Sequence, residues 1–199
     1  MGYSEKSIAG IFHNRAEKYQ YEPFLRYKHQ GVFTPISWRE MARIVTDIGL
    51  GLISLGVKRD DIVTIFSDNC WQWLAADLAS QSIGAANAPI YATNSGEEAA
   101  YIINDSGSKF LFVAGGDHLK RIQGVRSKIK GLKKIIAFEA PGNTDKDIIT
   151  LDELIALGEA SKDRKAFDER LQSIEPDDLA TLIYTSGTTG PPKGAMLTH

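Results

Sequence analysis

Apolar positions in the first sixty residues recur at helical spacing twice. Ile8, Ile11, Phe12, Ala16 and Tyr19 predict an amphipathic N-terminal helix. Met41, Ile44, Val45, Ile48, Leu52 and Leu55 predict a longer one, opened by the capping box Ser37–Glu40 and stopped at Gly56. Between them, residues 23–27 and 32–36 read as two strands joined by the turn Lys28-His29-Gln30-Gly31. Gly49-Leu50-Gly51 falls inside the second helix with no strand before it, so it is not a dinucleotide fingerprint.

From Asp61 the pattern alternates. Apolar strands at 62–66, 86–91, 109–114 and 134–138 take turns with helices. Asp68 or Asn69 is the expected cap of a helix that buries Trp71, Leu74, Ala75, Leu78 and Ser82 and ends at Gly84. Trp71 and Trp73 fall on opposing faces of that helix, one for the core and one over a neighbour. Ser95 and Glu98 open the next helix, which ends at Gly107; another covers 117–130; Thr150 and Glu153 open one that runs to Leu157 or Gly158. The polar stretches 141–147 and 161–178 read as surface connections, the second with a short helix around 167–171. A last buried strand follows through Leu179, Ala180, Leu182 and Ile183. Short, nearly continuous apolar strands need cover on both faces, so the expectation is an α/β fold: a doubly wound, mostly parallel sheet flanked by helices. The chain divides into a helix–hairpin–helix lead-in (1–60), an alternating region (61–185) and a loop (184–194).

That loop is where chemistry concentrates. Tyr184-Thr185-Ser186-Gly187-Thr188-Thr189-Gly190-Pro191-Pro192-Lys193-Gly194 follows the last strand directly. Gly187, Gly190 and Gly194 free the backbone to aim N–H groups into one concavity. The hydroxyls of Thr185, Ser186, Thr188 and Thr189 add donors, and Lys193 adds a compact positive charge. Donors without carboxylates suit a polyanion such as a nucleotide triphosphate. The Walker loop is excluded, because Lys193 precedes its glycine and Ala195 follows. Composition alone would equally describe a surface loop.

Composition changes the rest of the picture little. In 199 residues, 43% hydrophobic and 24% charged is an ordinary globular balance, and a net charge of -2 gives no reason to expect nucleic acid. Cys70 is the single cysteine, which excludes a disulfide framework and a cysteine metal site and leaves a small apolar core residue as the expectation. No secretory signal follows Met1 and no 18-residue apolar run occurs, so the expected location is cytoplasmic. The basic stretch Lys120-Arg121, Arg126, Lys128, Lys130, Lys133-Lys134 reads as a solvated helix face, with peripheral contact to anionic lipid or to coenzyme A phosphates as the alternative.

The order of residues in the loop resembles the phosphate-binding loop of the adenylate-forming (AMP-binding) superfamily. Asn69 to Trp73, Ala76-Asp77-Leu78-Ala79, Ser82-Ile83-Gly84-Ala85, Ala88-Pro89-Ile90-Tyr91, Tyr101-Ile102-Ile103-Asn104-Asp105-Ser106 and Leu111-Phe112-Val113 narrow the resemblance to long-chain fatty acyl-CoA synthetases. It covers roughly residues 37–199. Cys70-Trp71-Gln72 departs from it, since the family often carries Arg-Pro-Glu before the tryptophan. The resemblance implies that a fatty acid, ATP and coenzyme A are substrates, with Mg²⁺ as cofactor and acyl-adenylate as intermediate. It assigns ATP phosphate binding to Thr185, Ser186, Gly187, Thr188, Thr189, Gly190, Lys193 and Gly194, and a Mg²⁺ contact to Thr185. An aryl- or amino-acid-adenylating ligase and a non-catalytic nucleotide-binding module are the alternatives. The family's adenine, ribose and catalytic lysine motifs lie downstream of such a loop, so no catalytic residue is expected in these 199 residues. The chain stops five residues after the loop. It therefore reads as the N-terminal part of a longer enzyme, inactive by itself, with the element fixing the far side of the loop missing.

Overall fold

Side chains of the central strands alternate between two separate cores, and that alternation explains the layers. In β3 (Ile62–Phe66), Val63 and Ile65 face one core while Phe66 faces the other. In β5 (Phe110–Val113), Phe110 and Phe112 join the first core, Leu111 and Val113 the second. Each strand is apolar on both sides because neither side meets water. The computed structural model describes residues 5–140, 145–185 and 190–199.

The remaining elements, in chain order, are α1 (Ile8–Tyr19), β1 (Pro23–His29), β2 (Val32–Ser37), α2 (Trp38–Ser54), α3 (Trp71–Ser82), β4 (Ala86–Ile90), α4 (Gly96–Asp105), α5 (Gly116–Gly124), β6 (Lys134–Ala137), β7 (Ile148–Thr150), α6 (Leu151–Glu159), α7 (Arg164–Gln172), β8 (Leu179–Thr185) and β9 (Lys193–Thr198). Strands β1 and β2 pair with each other alone. The others form a seven-stranded sheet ordered β7-β6-β5-β3-β4-β8-β9, in which only β9 runs antiparallel. Residues of α1, α2, α3, α6 and α7 build the first core; α4 and α5 cover the second. The expected doubly wound α/β sheet is the observed one.

Several local expectations are corrected. The buried face of α1 is Ala9, Phe12, His13 and Ala16, while Ile8 and Ile11 are exposed. His13 meets Ser82 at 3.1 Å across the helix layer, and burial lowers its pKa to about 4. At α2, the Ser37 hydroxyl accepts from the Glu40 amide, but the return contact of a full capping box is not formed. Both halves are present at Ser95–Glu98 and Thr150–Glu153. The cap of α3 is neither Asp68 nor Asn69 but Cys70, in extended backbone and with no side-chain hydrogen bond to the helix. Its thiol is exposed, not buried, because the cap residue precedes the turn that faces the core. Trp71 and Trp73 are both half-buried against the first core. The helix expected over 117–130 stops at Gly124 and continues as a short 3₁₀ turn, Arg126–Lys128. Strand β7 was hidden in the sequence, since three residues beside a capping box are too few to show a period.

The glycines of α2 are explained by contact. A Cβ at Gly49 would lie 2.6 Å from the Phe167 ring, and one at Gly51 would lie 2.4 Å from the Leu154 carbonyl of α6. Gly158 reciprocates, with an added Cβ 1.8 Å from the Asp47 carbonyl. At Gly51 and Gly158 the nearest atom is a backbone carbonyl oxygen, so it cannot rotate away as a side chain could. Gly158→Ala should therefore destabilise the chain by about 1–3 kcal/mol or more. Gly124→Ala, with open space around it, should be neutral or stabilising by up to about 1 kcal/mol. Paired urea titrations of the two variants check this.

Candidate functional site

Strand β8 carries the candidate loop to the edge where the parallel strands end. It joins the sheet beside β4 through Asn87 and Thr181, whose hydroxyl donates to the Asn87 side-chain carbonyl at 2.7 Å. At the carboxyl ends of β3, β4 and β8 a cavity of about 450 Å³ opens, lined among others by Ser67, Asn69, Trp73, Tyr91, Thr93 and Tyr184. Ligands of open α/β sheets collect at this edge, because the loops there diverge and leave a crevice.

The loop is the closed end of a hairpin. Thr185 pairs in register with Lys193, and Tyr184 with Gly194, across antiparallel β8 and β9. Directly opposite residues project to the same face, so the side chains of Thr185 and Lys193 leave the hairpin on one face. Both are exposed. Ser186, Gly187, Thr188 and Thr189 lie outside the described residues. Gly190 takes φ +88°, a conformation that a side chain would strain. At Gly194 an added Cβ would come within 3.1 Å of the Tyr184 ring, so the glycine allows the strands to close over that ring. Two expectations are thereby corrected. Lys193 and Gly194 open a strand, and the element that fixes the far side of the loop is present as β9. The apolar alternation that would announce β9 is absent, because Ala195, Met196 and Leu197 are all exposed.

Sequence reasoning missed the anchor of this hairpin. Tyr101 of α4 donates its hydroxyl to the Pro192 carbonyl at 3.0 Å, and Tyr184 donates to Asp105 Oδ2 at 2.8 Å. Asp105 Oδ1 lies 3.5 Å from the Tyr101 hydroxyl, so one carboxylate sits between both phenols. Burial and then the Asp105 carboxylate hold the Tyr184 phenol well above its usual range, and Tyr101 shifts the same way. Both remain protonated donors at neutral pH. The signal was the i, i+4 spacing of Tyr101 and Asp105, which puts them on one helix face.

The charges around the loop fit an anion. Lys193 makes no ion pair among the described residues. No cluster of three or more His, Cys, Asp or Glu that could hold a metal occurs among them. The basic stretch is largely engaged elsewhere. Arg121 bonds Asp117 and the carbonyls of Ala92 and Asn94; Arg126 reaches Asp147; Lys128 pairs with Glu97. No helix among the described residues is long and apolar enough to cross a membrane.

The family profile described as AMP-binding enzyme matches residues 12–199. The chain is 34% identical over 199 residues to the long-chain-fatty-acid–CoA ligase FadD15 of Mycobacterium bovis, covering 100% of this chain and 32% of that protein. It is 30% identical over 207 residues to the chloroplastic long-chain-fatty-acid–[acyl-carrier-protein] ligase AEE15 of Arabidopsis thaliana, covering 98% of this chain and 28% of that protein. The chain thus spans about a third of the length of the curated relatives it matches. Among solved structures, the anthranilate CoA ligase AuaEII in complex with anthranoyl-AMP superposes with a TM-score of 0.78 at 19% identity, covering 100% of this chain and 35% of that one. That likeness speaks for the fold alone.

The anchor makes a prediction. Tyr101→Phe removes one neutral hydrogen bond, worth about 0.5–1.5 kcal/mol, so backbone amides at the start of β9 should exchange roughly 2- to 12-fold faster. Amides of β3 should not change. Site-resolved hydrogen–deuterium exchange reads both, and equal acceleration in β3 would mean that Tyr101 supports the whole sheet instead.

Proposed function

The chain belongs to the AMP-binding enzyme family, and on that footing we propose that it is the ATP-phosphate-binding part of an enzyme that activates a long-chain fatty acid. The carboxylate attacks the α-phosphorus of ATP, giving acyl-adenylate and pyrophosphate; the thiolate of coenzyme A then displaces AMP and takes the acyl group. The names of the relatives support the substrate acid and coenzyme A. The observation that carries the reading is the pair Thr185 and Lys193, opposed and exposed at the carboxyl edge of the sheet.

In this reading Thr185, Ser186, Gly187, Thr188, Thr189 and Gly190 offer hydroxyl and N–H donors to the β- and γ-phosphates. Lys193 sets a fixed positive charge against them, and Gly194 lets β9 approach closely enough to put it there. Tyr101 and Tyr184 hold both strands of the hairpin on α4, so Thr185 and Lys193 need little reorganisation when the phosphates arrive. Mg²⁺, bound with the nucleotide, would offset phosphate charge at the reacting centre, and Thr185 is the residue proposed to contact it.

Contacts to the β- and γ-phosphates lose their role once pyrophosphate leaves. In an enzyme carrying this chain together with the length its relatives possess, Lys193→Ala should slow adenylate formation or raise the ATP requirement by roughly 10- to 150-fold, the worth of a charge-assisted hydrogen bond. Thioester formation from pre-made acyl-adenylate and coenzyme A should stay nearly unchanged. Ser186→Ala should show the same pattern, smaller, since a neutral donor contributes about 0.5–1.5 kcal/mol. Equal damage to both half-reactions would make the loop a hinge or a coenzyme A contact. Damage to neither would make it an ordinary surface loop.

A further inference from the structure

The hairpin of β1 and β2 is anchored at its base and bare at its tip. At the base, Phe24 meets Trp38 edge-on with ring centroids 4.5 Å apart and Ile36 is buried; further along β1, the Tyr27 ring lies 6.3 Å from Trp71. At the tip, Gln30 and Gly31 both take positive φ, 48° and 84°, the two-residue turn that matches the twist of paired strands and keeps them together. Just behind that turn, Val32 is 67% and Phe33 66% exposed. These are large apolar side chains at the end of a projection that adds no strand to the main sheet.

The charge around them is one-sided. Lys28 stands opposite Phe33 and Arg26 opposite Pro35, so one face of the hairpin carries two cations with two apolar residues, all exposed. Residues 23–39 include no Asp or Glu, although the chain as a whole has 25 acidic residues against 23 basic. Neither Arg26 nor Lys28 makes an ion pair among the described residues, unlike Arg121, Arg126 and Lys128. A tip of this kind is too small for a stable protein interface, which takes about 800 Å² per partner. A few apolar side chains beside cations suffice for the boundary between lipid headgroups and acyl chains.

We propose that this hairpin is an insertion finger for an anionic membrane surface. Val32 and Phe33 enter the headgroup–acyl boundary, and Arg26 and Lys28 rest against headgroup phosphates. Each such cation multiplies partition about five-fold. The attraction is screened over about 8 Å at physiological ionic strength, so raised salt weakens it. The proposal does not depend on the acyl-activating reading, and either stands if the other fails.

Vesicle co-sedimentation of the chain tests it, with phosphatidylcholine alone or containing phosphatidylserine. Binding is expected on the anionic vesicles, falling with salt, and little on the neutral ones. Arg26→Ala with Lys28→Ala should reduce it about 25-fold and Phe33→Ser several-fold, with circular dichroism unchanged because these positions are exposed. Lys120→Ala, Lys130→Ala and Lys133→Ala together should leave it within two-fold. A polarity-sensitive fluorophore on Val32→Cys, in a Cys70→Ser background, should shift to the blue on anionic vesicles. The proposal is overturned by absent binding, by equal binding to both vesicle types, by a fluorophore that does not shift, or by loss of binding in the triple lysine variant alone.

Discussion

Every strand between β3 and β6 is buried on both faces, and this two-sided burial is the constraint on which the rest of the molecule depends. Two cores must be covered at once, so helices are needed above and below the sheet. Winding to one side puts α3 on the first core; crossing back over β3 puts α4 and α5 on the second. The reversal leaves β8 to enter beside β4 late in the chain. That late entry brings a polar loop to the same edge as the turns after β3 and β4.

Close backbone approach then decides where side chains are absent. Gly49, Gly51 and Gly158 let α2 settle against α6 and the Phe167 ring. On the opposite core, Gly194 lets β9 lie over the Tyr184 ring, whose hydroxyl reaches Asp105. The two sets of glycines serve different ends. The first sets the depth of a helix layer; the second holds a lysine at the mouth of a hairpin fixed on the β9 side by Tyr101 through Pro192 and on the β8 side by Asp105 through Tyr184. Stability and the candidate site therefore meet on α4, which packs in the second core with one face and anchors the loop with another.

The same chain shows two ways of handling positive charge. In the region 120–134, Arg121, Arg126 and Lys128 are matched by carboxylates or backbone carbonyls, and their role there is structural. On the β1–β2 hairpin and at Lys193 the cations have no such partner among the described residues. A charge run in a sequence does not tell these cases apart, because the partners come from distant segments: Lys128 meets Glu97, and Arg126 meets Asp147.

The sequence alone determined the alternation of elements, the parallel α/β class, two complete capping boxes and the family to which the loop's residue order points, because each is written in local period or in the order of neighbouring residues. Residues such as Val63, Leu111 and Ser95 carry that information without reference to anything far away. The tertiary structure decided what depends on partners distant in the chain: that Ile8 and Ile11 face outward, that Cys70 is exposed, and that Lys193 begins a strand. It also placed Tyr101 and Asp105 beneath a loop some ninety residues away. Strand β9 shows the physical reason most plainly. Its pairing is made by backbone groups to β8, so its exposed side chains carry no period from which it could have been read.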